Sequence, residues 1–127
     1  MVGKDSLVGI RAPEFPEGLT WLNSPPERLR EVLKKSLVLI DFWTYSCVNC
    51  IRTLPYLKAW HERYRDKGLL IIGVHTPEFA FEKNPEHVER AVRGFDIRWP
   101  QLLDPDYKVW GLYQNHWWPR KLLVDQK

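Results

Sequence analysis

The chain has 127 residues, 44% of them hydrophobic, with 10 Pro, 7 Gly, 7 Trp and 2 Cys, which is the size and make-up of one globular domain spanning residues 1–127. Its aromatic residues carry too much apolar surface for a disordered chain, and two cysteines are too few for a disulfide framework or a four-thiolate zinc site. The net charge of +3 comes from 19 basic and 16 acidic residues without a like-charge block, so no feature points to nucleic acid.

Residues 1–24 read as a lead-in of short extended pieces punctuated by Pro13, Pro16 and Gly18. Met1 to Pro13 contains no apolar leader core, and the longest apolar runs are too short to cross a bilayer, so the chain as written reads as soluble and cytoplasmic. Ser24-Pro25-Pro26-Glu27 has the spacing of a capping box and predicts a helix over Pro25 to Lys35. The run Leu37-Val38-Leu39-Ile40-Asp41-Phe42-Trp43 lacks alternation and predicts a strand buried on both faces. Leu54, Leu57, Trp60 and Tyr64 predict a helix from Cys47 to about Asp66, kinked at Pro55 and stopped by Gly68. Leu69 to His75 repeats the buried-strand pattern, which makes the pair a right-handed parallel β-α-β unit in an α/β sheet. Asn84-Pro85-Glu86 opens a helix to about Phe95, Trp99 to Leu103 is extended, Asp104-Pro105 opens a helix to about Tyr113, and Lys121 to Val124 is a final strand.

The two cysteines form one motif, Cys47-Val48-Asn49-Cys50, at a strand-to-helix junction. Free backbone N–H groups and the helix dipole favour negative charge there, so Cys47 is the expected nucleophile and Cys50, one turn on, the resolving thiol. Two unreactive core cysteines are the alternative. Asp41, set in an apolar run, is expected to be desolvated and suited to proton transfer. Trp43 and Tyr45 are expected to wall the site, and of the adjacent Trp117 and Trp118 one should face the core and the other a groove. His75 and His116 could join the cysteines in a copper or zinc site, but no second C-x-x-C or H-x-x-x-H supports it and no metal ligands are assigned.

The stretch Asp41-Phe42-Trp43-Thr44-Tyr45-Ser46-Cys47-Val48-Asn49-Cys50, with Pro55 and Trp118-Pro119, resembles the thioredoxin-like superfamily. Trp-Thr-Tyr-Ser-Cys-x-Asn-Cys and Gly73-Val74-His75-Thr76-Pro77-Glu78-Phe79 are similar to the branch of cytochrome c maturation and DipZ-type disulfide-exchange domains. The resemblance implies a three-layer α/β fold with a central mixed sheet. It makes Pro119 the cis-proline facing the cysteines, with the backbone of Trp118 pairing with substrate, although Trp118 is larger than the residue often found there. Asp41 then matches the buried acid that helps deprotonate the second cysteine, and Glu78 an acid near the active site.

The same resemblance implies a thiol-disulfide oxidoreductase that acts on protein disulfides, draws electrons from an upstream redox partner, and needs no bound organic cofactor. A reductant is the expected direction, by analogy alone. A membrane electron-transfer partner, and a place as the extracytoplasmic domain of a larger membrane-anchored protein, follow in the same way. Such a sheet normally continues past the Pro119 strand with a hairpin strand and a helix, neither of which follows Val124. The expectation is a C-terminally truncated domain, or self-association through the Lys121 to Val124 edge. Two rivals remain: a thiol peroxidase of the peroxiredoxin kind, whose motif needs Pro where Ile40 stands, and a copper- or zinc-binding module using the cysteines and His116.

Overall fold

A computed structural model describes residues 10–126. Five strands form one mixed sheet: β1 (Trp21–Leu22), β2 (Leu37–Trp43), β3 (Leu69–His75), β4 (Gln101–Leu103) and β5 (Arg120–Val124), in the order β1-β4-β3-β2-β5. Strand β2 runs parallel to β3 and antiparallel to β5, β3 runs parallel to β4, and β4 pairs antiparallel with β1. The helices are α1 (Leu29–Val32), α2 (Val48–Tyr64), α3 (Pro85–Gly94) and α4 (Lys108–Leu112), with short 3-10 turns at Arg65–Lys67 and Ala80–Lys83.

The pleat of β2 decides which side of the sheet each residue serves. Val38, Ile40 and Phe42 face a core built with Leu29, Ile72, Val74, Leu102, Val109 and Tyr113. Trp43 faces a second core with Cys50, Leu54, Leu57, Ile71, Val88, Val92 and Trp99, and Leu39 packs against its edge. Asp41 shares parity with Leu39 and Trp43, so it is directed toward the α2 side, under the helix that carries the cysteines. The run is apolar apart from Asp41 because both faces of β2 are covered and both of its edges are paired.

Strand β3 has the predicted bounds, and α3 starts as predicted, with the Asn84 side chain accepting the Glu86 N–H at 2.9 Å. Three elements differ. Only Leu29–Val32 is α-helical in the Pro25 to Lys35 stretch, and Ser24 bonds the adjacent Pro25 carbonyl instead of capping. The Leu29 and Arg30 amides are met by the distant Glu14 carboxylate at 2.6 and 3.2 Å, a cap that local spacing could not show.

In α2 the buried face continues from Leu54 and Leu57 to His61, which packs its ring 5.5 Å from that of Trp99. Trp60 and Tyr64 are exposed, in a row with Tyr56, because i, i+4, i+8 spacing from Tyr56 puts them on the outer face. The helix then tightens and ends at Gly68, whose φ of +96° is left-handed. Finally, α4 begins at Lys108 rather than Pro105, because the buried Asp104 carboxylate reaches forward over a turn to accept the Val109 and Trp110 amides at 3.0 and 2.9 Å.

Candidate active site

Strand β2 ends at Trp43, and Thr44-Tyr45-Ser46 carry the chain onto Cys47, which caps α2 in an extended conformation (φ −82°, ψ 111°). The Cys50 N–H donates to Cys47 Sγ at 3.2 Å. Cys47 is partly exposed and Cys50 buried, both as free thiols. Desolvation pushes the Cys50 thiol far above its ordinary range, and the neighbouring Cys47 sulfur and Asp41 carboxylate push the same way. One sulfur is therefore presented to solvent at a helix N-terminus, while the other is held inside and needs a base before it can attack.

Asp41 lies on β2 behind that inner sulfur, only 3% exposed. Burial raises its carboxyl from the ordinary 3.8 to about 6, against the opposing pull of the Lys121 ammonium. Lys121 stands directly opposite on β5, with Nζ 3.0 Å from Asp41 Oδ1. Gly73 occupies the paired position on β3, where a Cβ would come within 2.3 Å of the Gln101 side chain. A desolvated acid titrating near neutrality beside a high-pKa thiol is equipped to exchange a proton with it.

The other flank of the cysteine loop is built around Glu82, a residue for which the sequence carried only a bare F-x-x-E spacing at Phe79. Its buried carboxylate accepts the Ser46 N–H at 3.1 Å, the Glu78 N–H at 2.9 Å and the Phe79 N–H at 3.0 Å. It thereby ties the loop before Cys47 to the loop after β3. Burial opposes its charge, but the hydrogen bonds from both loops outweigh burial and hold the carboxyl below its ordinary range.

His75 supports the same loop from beneath. Its Nε2 accepts the Tyr45 N–H at 3.3 Å and lies 3.2 Å from Thr44 Oγ1, which leaves the ring proton on Nδ1. Desolvation lowers this buried imidazole to about 4, so it is neutral at physiological pH.

The predicted site residues fall into three groups. Cys47, Cys50, Asp41 and Tyr45 converge, and Tyr45 is partly exposed, stacked on His75 at 5.6 Å and edge-on to Phe81 at 6.2 Å. The Trp118-Pro119 bond is cis, and Trp118 packs against the cluster that also contacts Cys47 and Tyr45 while its Nε1 donates to the Thr76 carbonyl at 2.8 Å. Trp117 is exposed beneath the Arg120 guanidinium.

Trp43 departs from the expectation that it walls a substrate surface. It is 2% exposed, donates to Gln101 Oε1 at 2.8 Å and packs edge-on to His75, because strand parity turns it into the α2-side core. Glu78 is exposed, and what it contributes is its backbone N–H, given to Glu82. His75 is committed to the loop, and His116 is exposed beside Trp117. Among the described residues no cluster of three or more His, Cys, Asp or Glu is arranged to hold a metal ion. A cavity of about 250 Å³ beside the site is lined by His75, Glu82 and Asp104 but by neither cysteine.

This fold, with a C-x-x-C at the head of α2, a buried acid behind it and a cis-proline against the same cluster, defines a thiol-disulfide oxidoreductase of the thioredoxin-like class. The chain belongs to the AhpC/TSA family, whose model matches residues 8–127. It is 44% identical over 117 residues to Protein DipZ of Mycobacterium bovis, which covers 90% of this chain and 17% of that protein. Thiol-disulfide oxidoreductase YkuV of Bacillus subtilis is 25% identical over 114 residues, covering 90% of this chain and 76% of that one. The thioredoxin domain of a thiol-disulfide oxidoreductase from Bacteroides vulgatus superposes with a TM-score of 0.75 at 27% identity, covering 91% of this chain and 79% of that chain. The chain thus spans under a fifth of the DipZ relative's length. Among the described residues no helix is long and apolar enough to cross a membrane.

Proposed function

We propose that this domain reduces protein disulfides. Cys47 Sγ attacks one sulfur of the substrate disulfide, the substrate S–S bond breaks, and a mixed disulfide forms as the first substrate thiolate leaves. Cys50 gives its proton to Asp41, attacks Cys47 Sγ and expels the second substrate thiolate, which takes a proton back. Two electrons have passed to the substrate, and the Cys47–Cys50 disulfide awaits a dithiol partner. The observation that carries this reading is the contrast between a reachable Cys47 and a buried, high-pKa Cys50 beside Asp41. The direction, toward reduction of the substrate, is inferred by analogy with the disulfide-exchange branch that the chain resembles.

Tyr45 and the cis Trp118-Pro119 segment supply the surface on which an extended polypeptide would lie. By its likeness to DipZ, we infer that the domain works outside the cytoplasm as part of a longer membrane-anchored protein and receives electrons from a membrane partner. Strand β5 is one of the two sheet edges among the described residues, with Leu123 exposed, which supports the finer reading of pairing with a second copy there. A concentration-independent monomer in sedimentation would remove it. The peroxidase rival meets Ile40, buried within β2, where its motif requires proline.

The direct test is insulin-disulfide reduction driven by dithiothreitol. Cys47→Ser should abolish turnover, and Cys50→Ser should accumulate a mixed disulfide on Cys47. Peroxide turnover without insulin reduction would replace this reading by the peroxidase one.

A further inference from the structure

Lys121 connects two parts of the site that no sequence motif links. It stands on β5 two residues beyond the cis-proline, with Nζ 3.0 Å from Asp41 Oδ1. The same ammonium donates to Thr53 Oγ1 at 3.0 Å, and the Thr53 hydroxyl donates to the Cys50 carbonyl at 2.8 Å. Lys121 is therefore hooked to the helix that carries Cys50 and to the strand that carries Asp41.

The titratable and charged groups facing Asp41 are Lys121 from β5 and Cys50 from α2, while β3 offers Gly73 at the paired position. Of these, Lys121 alone opposes desolvation. With that ammonium removed, burial would hold Asp41 protonated at neutral pH, and a protonated carboxyl cannot take the Cys50 proton. A lysine has a flexible stem and a strongly hydrated head that would otherwise drift to solvent, so the Thr53 bond matters for keeping the charge at the acid.

We propose that Lys121, tethered by Thr53, is a positioning residue that keeps Asp41 ionised while Cys50 is still a thiol in the mixed disulfide, and so sets the pH at which Cys50 can resolve it. The proposal rests on Asp41 being the acceptor of the Cys50 proton. In the step concerned, the proton moves from Cys50 Sγ to an Asp41 oxygen, the Cys50–Cys47 S–S bond forms, the bond from Cys47 to substrate breaks, and the departing thiolate is reprotonated. Lys121 keeps its own proton throughout.

The test mixes the full, reduced chain with Ellman's reagent, 5,5′-dithiobis(2-nitrobenzoate). The first thionitrobenzoate released reports Cys47 attack, and the second reports Cys50 attack. Lys121→Met keeps the aliphatic stem and should slow the second phase about tenfold at neutral pH and move its midpoint upward by about one pH unit, with the first phase changed less than about twofold. Thr53→Val should shift the midpoint the same way but less, and Lys121→Arg should restore it. In an Asp41→Asn background Lys121→Met should have no further effect on the second phase.

A carbon-13 NMR titration of the Asp41 carboxyl in Lys121→Met keeps the two ideas apart. An unchanged Asp41 titration, or equal slowing with and without Asp41, would overturn the proposal for Lys121. A raised Asp41 titration together with a second phase indifferent to Asp41→Asn would instead overturn the acceptor role of Asp41. Should Lys121→Met fail to fold, Thr53→Val carries the same test, and a midpoint it does not move would count against the tether.

Discussion

Two buried carboxylates flank the cysteines, and the fold treats them in opposite ways. Asp41 meets one ammonium across a strand pair and is left with its carboxyl raised to about 6. Glu82 meets three backbone amides from two loops and is held below its ordinary range. Both are hidden from water, so burial alone does not decide the charge. The number of donors each acid collects does, and it separates an acid that can exchange a proton from one that serves as a fixed anchor.

Removing Glu82 should cost most. Glu82→Ala leaves three inward amides without an acceptor and should destabilise the fold by about 3–5 kcal/mol in urea melts, with Glu82→Gln recovering part of the loss. If Glu82→Ala were neutral, the anchor half of the comparison would fail.

Next in size are two opposed pH effects. Asp41 has a folded value near 6 against 3.8 unfolded, so its contribution is full below pH 3.8 and is lost as pH rises through 6. His75 has a folded value near 4 against 6.5, so its contribution is present above pH 6.5 and is lost as pH falls toward 4. Each is worth about 3 kcal/mol and the two nearly cancel. Asp41→Asn should therefore expose a stability that falls from pH 7 to pH 4, and His75→Gln one that falls from pH 4 to pH 7. Matching slopes in the two variants would break the account.

Gly73→Ala tests the packing beside Asp41. The added methyl meets the buried Gln101 side chain, which must let go of the Trp43 indole, at a cost of about 1–3 kcal/mol. The smallest effect belongs to Leu123→Thr on the exposed face of β5, within about 0.5 kcal/mol by thermal melt.

The sequence made some of this readable because local pattern and tertiary role coincide. Strands β2 and β3 are buried on both faces, and an unbroken apolar run has no other economical explanation. An acid inside such a run is desolvated wherever the sheet is covered, so Asp41 was legible before any geometry. The cysteine spacing and the junction it follows carried the chemistry.

Glu82 was not legible, because its partners are backbone amides 36, 4 and 3 residues away, and backbone groups leave no mark in a residue pattern. The Glu14 cap on α1 and the Lys121 pairing with Asp41 escaped for the same reason, being contacts between segments. Trp43 lies close in sequence to Cys47, yet strand parity turns it inward, away from any substrate surface.

The central claim is that Asp41 exchanges a proton with the Cys47–Cys50 pair while Glu82 does not. The equilibrium potential of that pair against glutathione, followed from pH 5 to pH 8 in the wild type, Asp41→Asn and Glu82→Gln, tests it directly. The account predicts a change of slope near the Asp41 titration in the wild type, its loss in Asp41→Asn and its retention in Glu82→Gln. An Asp41→Asn curve superimposable on the wild type, or a cysteine pair that never oxidises, would contradict it.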